Sequence, residues 1–506
     1  MNNGKICISV CAKTTADLIN KVDAAKELAD LIEIRFDCLE SGEIGAVDRW
    51  LSQSVHGNEI VTTFRPLEQG GHKELSLDDR RRFWGRSTQT HIADIEADLA
   101  ENIPALHYSR YICSFHDFET VPVELNEIFE KLASSGAEIL KIAAKADDAV
   151  DVIPLWKLIK LSRHDGREIA PIGMGEAGKW TRILGLAHGT YLTYAALNRG
   201  DETAPGQITA REMKDVFRVK ELNEQTEVYG IIAGDTTYSM SPYIHNAAFK
   251  KAEMNAVFVP FQVNDLDAFI MRMVNPDSRE VELNFQGFSV TNPHKQAIMR
   301  YLDSVDDSAA KIGAVNTVKI LNGKLIGFNT DAHGFITPLT KRFPELSNAR
   351  VAVVGAGGAA RACTYSLKNH GADVTVFARD IDKAEAFSTV FNVDTKKVEI
   401  KNSRPITDFS NFDVVVNTTP LGTRGETIAS AIAEKEQLRG VKLVYDLVYN
   451  PEETRLLHEA KQAGADTLGG FEMLIAQAER QFDIWTNREP PVAEMRAAAK
   501  QKIAER

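Results

Sequence analysis

Two lysines carry the most chemical information in this chain. Lys141 lies inside the apolar run Ile139-Leu140-Lys141-Ile142-Ala143. An ammonium in such a run is desolvated, which lowers its pKa and brings a neutral, nucleophilic amine within reach. That amine suits Schiff-base chemistry on a ketone. The same residue also reads as a strand-end lysine reaching its charge out to water, as Lys145 does. One apolar run earlier, His116 closes Ile112-Cys113-Ser114-Phe115-His116. An imidazole there can move a proton near neutral pH, or simply pack at the strand end. Arg35, Arg65 and Arg182 have the fork geometry to clamp a carboxylate or hydroxyls, although each alone reads equally as a surface arginine. Glu33, Glu96 and the loop Thr203-Ala204-Pro205-Gly206-Gln207 fall at comparable strand ends.

The second lysine, Lys295, ends Ser289-Val290-Thr291-Asn292-Pro293-His294-Lys295, and Asp331 ends Gly327-Phe328-Asn329-Thr330-Asp331. In isolation Lys295 reads as a solvated loop lysine. Beside an aspartate it can stabilise a developing oxyanion and donate or relay a proton. Downstream, Gly355-Ala356-Gly357-Gly358-Ala359-Ala360 follows the apolar run Val351–Val354. Strand, glycine turn and helix start in that order suit a dinucleotide pyrophosphate. The next run, Val374–Ala378, ends in Arg379 where NAD sites usually carry an acid, so a 2′-phosphate and hence NADP is expected; Asp380 follows it.

These residues need elements to hold them. Eight short apolar runs fill the first 222 residues: Lys5–Cys11, Leu31–Asp37, Glu59–Arg65, His91–Ala97, Arg110–His116, Glu138–Ala144, Glu168–Met174 and Thr190–Ala196. Stretches with helical spacing, such as Thr15–Leu28, Leu77–Thr90 and Val123–Ser134, lie between them. Eight β/α units in about 220 residues predict a (β/α)8 barrel, with an open doubly wound sheet as the alternative. Polar Leu222–Glu227 marks a boundary without a flexible Gly/Ser linker. A two-domain α/β unit is expected beyond it. Residues 228–337, with C-terminal helices in 480–506, form one part; 338–479 form a Rossmann domain with strands near Asp373–Ala378, Asp413–Asn417 and Leu443–Asp446. Phe471–Phe482 and Pro491–Ile503 read as helices.

Length and composition agree with this plan. At about 150 residues per domain, 506 residues suggest two or three domains. The net charge of −12 argues against nucleic acid and anionic membrane as partners. No apolar stretch approaches the roughly 18 residues of a membrane span. Met1–Lys5 lead straight into the first run, so a cytoplasmic location is expected. The five cysteines, Cys7, Cys11, Cys38, Cys113 and Cys363, contain no CxxC pair. They read as buried thiols rather than a disulfide framework or a metal site. Small-molecule substrates are the expected partners, and oligomeric state is left open.

The first half resembles the type I 3-dehydroquinate dehydratases over essentially residues 4–216. The pieces are Glu33-Ile34-Arg35-Phe36-Asp37, Thr63-Phe64-Arg65, Ser114-Phe115-His116, Leu140-Lys141-Ile142, Met174-Gly175 with Thr181-Arg182, and Ala204-Pro205-Gly206-Gln207. The resemblance implies that Lys141 forms the Schiff base and His116 is the general acid/base. It implies that Glu33, Arg35, Arg65, Arg182, Thr203 and Gln207 hold substrate. Gln69 stands where the family usually has a glutamate, and Thr203 where it has a serine.

Residues 228–490 resemble shikimate dehydrogenases. Beside the Lys295 and Asp331 segments, the motifs are Ser239-Met240-Ser241-Pro242 with His245-Asn246, Gly313-Ala314-Val315-Asn316-Thr317, Asn417-Thr418-Thr419-Pro420 with Gly422, and Gly470 with Met473 and Gln477. This resemblance implies Lys295 and Asp331 as the catalytic pair. Ser239, Ser241, Thr291, Asn316, Tyr449 and Gln477 would bind substrate. Gly355, Ala356, Gly357, Gly358, Ala359, Arg379, Thr418 and Gly470 would bind the cofactor. Departures are Gly234-Asp235-Thr236-Thr237-Tyr238, where the family has a Gly-x-Pro start and a histidine at the tyrosine, and Ala378-Arg379-Asp380 in place of Asn-Arg-Thr. Together the two resemblances imply dehydration of 3-dehydroquinate followed by NADPH-dependent reduction of 3-dehydroshikimate. The alternative is an NAD-linked quinate/shikimate dehydrogenase fused to a catabolic dehydratase. A regulatory protein built from degenerate copies would lack Lys141, His116, Lys295 and Asp331, and all four are present.

Overall fold

The computed structural model describes residues 2–53, 57–85, 91–100, 110–401, 404–425 and 427–505. The chain divides into two compact units, Met1–Pro242 with Asn255–Phe285, and Tyr243–Met254 with Gln286–Arg506.

The first unit contains β1 (Lys5–Val10), β2 (Leu31–Arg35), β3 (Glu59–Thr63), β4 (Ile92–Glu96), β5 (Tyr111–Asp117), β6 (Ile139–Lys145), β7 (Glu168–Met174) and β8 (Leu192–Ala195). All eight predicted runs are strands. They pair in the order β7-β6-β5-β4-β3-β2-β1-β8. Tyr191, just ahead of β8, donates its N–H to Ile169 O of β7 at 2.8 Å, bringing the two ends of the sheet together. The arrangement is a barrel and not the open alternative. Helices form at Thr15–Ala25, Leu77–Trp84 and Leu125–Ser134. The second starts where Ser76 and Asp79 make a reciprocal capping box. The predicted continuation through 86–90 lies outside the described residues.

Side chains alternate along a strand, so one face of every strand points inward. Cys7, Leu31, Val61, Ile92, Ile112, Ile139, Ala170 and Leu192, one from each strand, make an apolar floor. Two residues further along stand Ser9, Glu33, Thr63, Asp94, Ser114, Lys141, Ile172 and Tyr194. Two further still come Cys11, Arg35, Arg65, Glu96, His116, Ala143, Met174 and Ala196. The period of two therefore lifts the chemistry-bearing residues above the floor, toward the C-terminal ends of the strands.

Cysteine pairing corrects one expectation. Cys11 and Cys38 form a disulfide with Cα atoms 5.5 Å apart. They lie 27 residues apart in sequence, just past the ends of neighbouring parallel strands, a proximity that only β1–β2 pairing creates. Cys7, Cys113 and Cys363 are buried and form no disulfide.

The first unit continues past the turn at Asn223–Thr226 into the parallel pair β9 (Glu227–Ala233) and β10 (Ala256–Gln262). Barrel residues hold this pair directly. Arg218 donates to Ala256 O at 2.7 Å, Ala149 N–H donates to Gln262 O at 2.8 Å, and Asp148 accepts from the backbone of Asn264 and Asp265.

In the second unit β11 (Phe285–Val290), β12 (Ser304–Val305), β13 (Thr317–Leu321) and β14 (Lys324–Phe328) lie in the order β11-β13-β14-β12. A parallel sheet follows from β15 (Arg350–Val354), β16 (Asp373–Ala378) and β17 (Asp394–Lys397). After the short pair β18 (Ile400–Lys401) and β19 (Arg404–Pro405) it is completed by β20 (Val414–Asn417), β21 (Leu443–Asp446) and β22 (Asp466–Gly469). Its order, β17-β16-β15-β20-β21-β22, reverses direction between β15 and β20. Both faces are covered: Val351, Val353, Val374, Val376 and Val416 pack on one side, Ala352, Val354, Phe377, Val415 and Val444 on the other. That explains the unbroken apolar runs in the sequence. The predicted C-terminal helices are Gly470–Thr486 and Val492–Ala504. Helix Thr330–Arg342 crosses Gly470–Thr486 at Gly334, where an added Cβ would sit 2.7 Å from Gln477 Cβ. Among the described residues no helix is long and apolar enough to cross a membrane.

Candidate active sites

The barrel opens into a cavity whose wall includes Glu33, Arg35, Arg65, His116, Lys141, Arg182, Thr203 and Gln207. The structure thus brings together the barrel residues expected from sequence. Lys141 is buried, with Nζ 2.8 Å from Asp94 Oδ2, 3.9 Å from Glu33 Oε1 and 4.0 Å above the Tyr194 ring. Burial lowers its pKa from the usual lysine value and Arg65 adds to the effect, against the pull of Asp94 and Glu33. Burial alone would raise the Asp94 carboxyl. The Lys141 and Arg65 charges win and hold it below the usual range.

Arg65 donates to Asp94 at 2.8 Å and to Glu96 at 3.3 Å. Glu96 also meets Arg80 at 3.3 Å, and Arg80 reaches the half-exposed Asp98. Desolvation pushes Glu96 up to about 7. Glu33 accepts hydrogen bonds from Ser9 Oγ and from Thr63 Oγ1, the latter at 2.7 Å.

His116 and Ser114 share a strand face, and Ser114 is in register with Lys141. The ring is therefore one step toward the barrel mouth from the amine. Its Nδ1 lies 3.4 Å from Gln69 Oε1, and its buried Nε2 meets no hydrogen-bond partner. Desolvation, with the nearby Arg65 and Lys141 charges, puts its pKa well below 6.5.

The arginines divide by environment. Arg35 forks onto Asp37 at 2.9 and 2.7 Å and donates to Gly70 O at 3.0 Å, so its guanidinium is largely committed to the protein. Among the described residues Arg182 meets only the carbonyls of Tyr194 and Pro205, each at 3.4 Å, and its Nε has no partner. Burial without a carboxylate lowers it to about 10. Thr203 and Gln207 brace each other, Gln207 Nε2 donating to Thr203 Oγ1 at 3.1 Å. Asp94 Oδ1, Ser114 Oγ, His116 Nε2, Arg182 Nε and Tyr194 Oη are all buried without partners among the described residues. So many orphaned polar atoms in one layer and at its rim call for a polar ligand.

Sequence reasoning missed Asp94, the hub of this site. The signal was available: a carboxylate inside Ile92–Glu96 is as anomalous as an ammonium inside Ile139–Ala143. Arg80, Ser9, Thr63 and Tyr194 carried no such signal.

In the second unit Lys295 Nζ lies 2.5 Å from Asp331 Oδ2, and Asn316 Nδ2 donates to Asp331 Oδ1 at 2.8 Å. Asn316 is itself fixed: its Oδ1 accepts from Thr330 N at 2.7 Å and from Thr317 Oγ1 at 2.8 Å. Gln481, another residue missed from sequence, donates to Thr317 Oγ1 at 3.1 Å. Gln477 faces the Asp331 helix at Gly334, its amide donating to Leu474 O. Thr291 follows β11 and Tyr449 follows β21. Ser239 and Ser241 belong to the first unit, where Ser241 N–H donates to Ser239 Oγ at 3.2 Å as helix Ser241–Lys251 begins.

The glycine turn fits a dinucleotide. It follows β15 at the point where the strand order reverses, the usual place for such a ligand. Gly355 has φ +131°, and a Cβ there would meet Thr418 Oγ1 at 2.2 Å. At Gly357, the N-cap of helix Gly358–Asn369, an added Cβ would meet nothing within 4 Å, so the side of the turn at the helix N-terminus is open. Ala356 lies in this turn and Ala359 in the first turn of the helix. A Cβ on Gly358 would come 3.3 Å from Lys295 Cδ, which places the lysine stem beside the turn. Gly470 opens its helix with its Cα against Leu447 O. Arg379 is exposed at the end of β16. Asp380 turns back to cap helix Ile381–Phe391, accepting from Lys383 N–H at 3.3 Å.

The fold and these two sites define a lysine-bearing barrel joined to a dinucleotide-binding α/β unit. Family models agree along the chain: type I 3-dehydroquinase over residues 6–224, the shikimate dehydrogenase substrate-binding domain over 231–318, shikimate/quinate 5-dehydrogenase over 338–440 and the shikimate 5′-dehydrogenase C-terminal domain over 470–500. The chain is 32% identical over 525 residues to a chloroplastic bifunctional 3-dehydroquinate dehydratase/shikimate dehydrogenase of Arabidopsis thaliana, covering 97% of this chain and 83% of the relative. A shikimate dehydrogenase (NADP(+)) of Methanocaldococcus jannaschii is 39% identical over 285 residues, 56% of this chain and 99% of that one. A crystal structure of a shikimate dehydrogenase in complex with NADP+ matches with TM-score 0.51 and 36% identity, covering 56% of this chain and 97% of that chain. The chain belongs to the family of bifunctional 3-dehydroquinate dehydratase/shikimate dehydrogenases.

Asp94 is the shared counter-ion of two buried cations. Asp94→Asn is expected to cost about 3–5 kcal/mol, the usual loss when one partner of a buried pair is removed. Denaturant unfolding followed by the barrel tryptophans measures it, and an unchanged midpoint would show that water or Glu33 takes over the carboxylate's role.

Proposed function

We propose that this chain catalyses two successive reactions: dehydration of 3-dehydroquinate to 3-dehydroshikimate in the barrel, and NADPH-dependent reduction of 3-dehydroshikimate to shikimate in the C-terminal part. The observation that carries the reading is the buried Lys141 amine, poised beside Asp94 under a layer of unpartnered polar groups that includes Arg182. The organisation that accompanies it is a barrel over 1–222, a substrate-binding domain over 228–337 with helices from 480–506, and a cofactor domain over 338–479. A cytoplasmic location is part of the reading; a reducing compartment would keep Cys7, Cys113 and Cys363 as thiols and would open the Cys11–Cys38 bond as well.

In the barrel, Lys141 as a neutral amine attacks the ketone of 3-dehydroquinate and loses water to give an iminium. The iminium withdraws electrons from the adjacent carbon, and His116 Nε2 takes the proton released there. The imidazolium then returns a proton to the departing hydroxyl, and hydrolysis of the imine frees the product and the lysine. Arg182, lacking a protein carboxylate, is suited to the substrate's own. Glu33, Arg65, Thr203 and Gln207 are assigned to its hydroxyls, and Arg35 shapes the wall through Asp37. Gln69 orients the imidazole but, as a neutral amide, stabilises its charged form less than a carboxylate would.

In the second unit, the turn Gly355–Ala359 with Thr418 and Gly470 would hold the cofactor's pyrophosphate end, and Arg379 the 2′-phosphate. NADPH, when bound, supplies hydride to the ketone carbon. Lys295 Nζ stabilises the negative charge that develops on the ketone oxygen and protonates it, while Asp331 holds the ammonium in place. Asn316, Thr291, Tyr449 and Gln477 are assigned to the hydroxyls and carboxylate of shikimate. With Asp380 turned into its helix cap, Arg379 presents the positive charge that suits NADP, which disfavours the NAD-linked alternative.

The direct test is incubation with 3-dehydroquinate and NADPH, following NADPH loss and identifying shikimate. Within it, Lys141→Ala is expected to abolish dehydration and leave reduction of added 3-dehydroshikimate near wild type. Borohydride with 3-dehydroquinate should trap an adduct on Lys141, and an active Lys141→Ala dehydratase would overturn the Schiff-base step.

The depressed His116 pKa has a pH consequence. The base form persists until the pH falls through that lowered value, so kcat/KM for dehydration is expected to show an acid limb below pH 6.5. Lys141 must also be neutral and adds its own limb, so the sign of His116 is a further fall below pH 6.5, and its absence would show that His116 is not the base.

For the reductase, the oxyanion exists mainly in the transition state. Lys295→Ala is therefore expected to lower kcat by at least about 10²–10⁴-fold, with NADPH affinity and dehydration intact. A raised KM at unchanged kcat would make Lys295 a binding residue.

A further inference from the structure

Beside the catalytic residues, and among the described ones, one cluster of ligating side chains stands at the barrel rim. Cys11 and Cys38 lie just past β1 and β2, and His72 lies in the loop after β3. The two sulfurs and one His72 ring nitrogen all fall within 4.8 Å of one another. Cys11 Sγ and His72 Nε2 are 3.8 Å apart. Zn–S near 2.3 Å and Zn–N near 2.0–2.1 Å at a tetrahedral angle place sulfur and nitrogen about 3.6 Å apart, so this spacing already suits a shared ion. Two thiolates on one tetrahedral zinc stand about 3.8 Å apart. With Cα atoms 5.5 Å apart, Cys11 and Cys38 reach that separation by side-chain rotation once their bond is opened.

The backbone around the cluster is fastened independently of the sulfurs. His72 N–H donates to Asp37 Oδ2 at 3.1 Å, Asp37 is forked by Arg35, and Arg35 also holds Gly70 O. Lys73 Nζ donates to Leu39 O, one residue past Cys38. Three ligands in the segments that follow three adjacent strands are thus pre-placed whether or not the disulfide is closed. Two thiolates and an imidazole form a soft donor set, which selects zinc-like cations over magnesium or calcium.

We propose that, when the Cys11–Cys38 bond is reduced, Cys11, Cys38 and His72 form a three-ligand site for a thiophilic divalent cation, zinc being the type, with a fourth position for water. Opening the bond takes two electrons and two protons from a dithiol reductant, which becomes a disulfide in turn. Binding the ion then releases one proton from each thiol, and His72 binds through neutral Nε2. The site ties the loop bearing Gln69, the partner of His116, to the ends of β1 and β2.

The test uses the full chain, reduced with dithiothreitol, freed of reductant without air, and titrated with Co²⁺ and then Zn²⁺. One equivalent of Co²⁺ should bind with a thiolate-to-metal absorption band, be displaced by Zn²⁺, and shield Cys11 and Cys38 from alkylation by iodoacetamide. His72→Ala, an exposed position, should weaken binding by more than the roughly 10–100-fold that losing an outer-shell partner costs. Cys11→Ser with Cys38→Ser should abolish the band. Three outcomes would overturn the site: equal binding by the reduced chain and the double serine variant, equal binding by the oxidised chain, or wild-type affinity in His72→Ala, which would leave only a dithiol chelate.

Discussion

An ammonium enclosed by eight strands keeps its proton only if carboxylates are enclosed with it, and a useful amine must be able to give that proton up. The barrel meets both demands with a line of alternating charge. Lys141 meets Asp94, Asp94 meets Arg65, Arg65 meets Glu96, Glu96 meets Arg80, and Arg80 reaches Asp98 at the surface. Each member removed from water costs several kcal/mol, and each is repaid only by its neighbours. The line therefore stands or falls as a unit, and the depressed Lys141 pKa is what remains after desolvation outweighs Asp94 and Glu33. The apolar floor beneath it, one residue from each strand, excludes water from the lower end and makes those electrostatic terms large.

The second unit uses a lysine differently. Lys295 is one-fifth exposed and among the described residues has a single carboxylate partner, held by Asn316, which two threonines fix in turn. Here the carboxylate, not the lysine, is set deep in the hydrogen-bond network. A lysine that must start out charged is best left partly in water with one fixed counter-ion; a lysine that must start out neutral is best buried, where desolvation outweighs its counter-ions. The two lysines occupy opposite ends of that choice.

Arginines show the same dependence on surroundings. Arg35 and Arg182 both line the barrel cavity. Arg35 is paired with Asp37 two residues away and so acts as part of the wall, while Arg182 has only carbonyl neighbours and is left with unspent charge. Only the second is arranged as a receptor for an anion.

Much of this was legible in the linear chain. Eight apolar runs with helical spacing between them predicted a barrel and left an open doubly wound sheet as the alternative; the meeting of β7 with the start of β8 decided between them. A strand, a glycine turn and a helix start specified a dinucleotide cleft because the backbone itself must approach a pyrophosphate. Lys141, His116, Lys295 and Asp331 stood out because their polarity conflicts with, or punctuates, the runs around them. What the sequence could not decide was who meets whom across strands. Asp94 lies 47 residues from Lys141 and 29 from Arg65, Cys11 lies 27 from Cys38, and Asn316 lies 15 from Asp331. Those pairings exist only once register and barrel closure bring strand ends together. The state of every buried charge and thiol follows from them, because a group's ionisation and bonding depend on its neighbours in space and not on its neighbours in the chain.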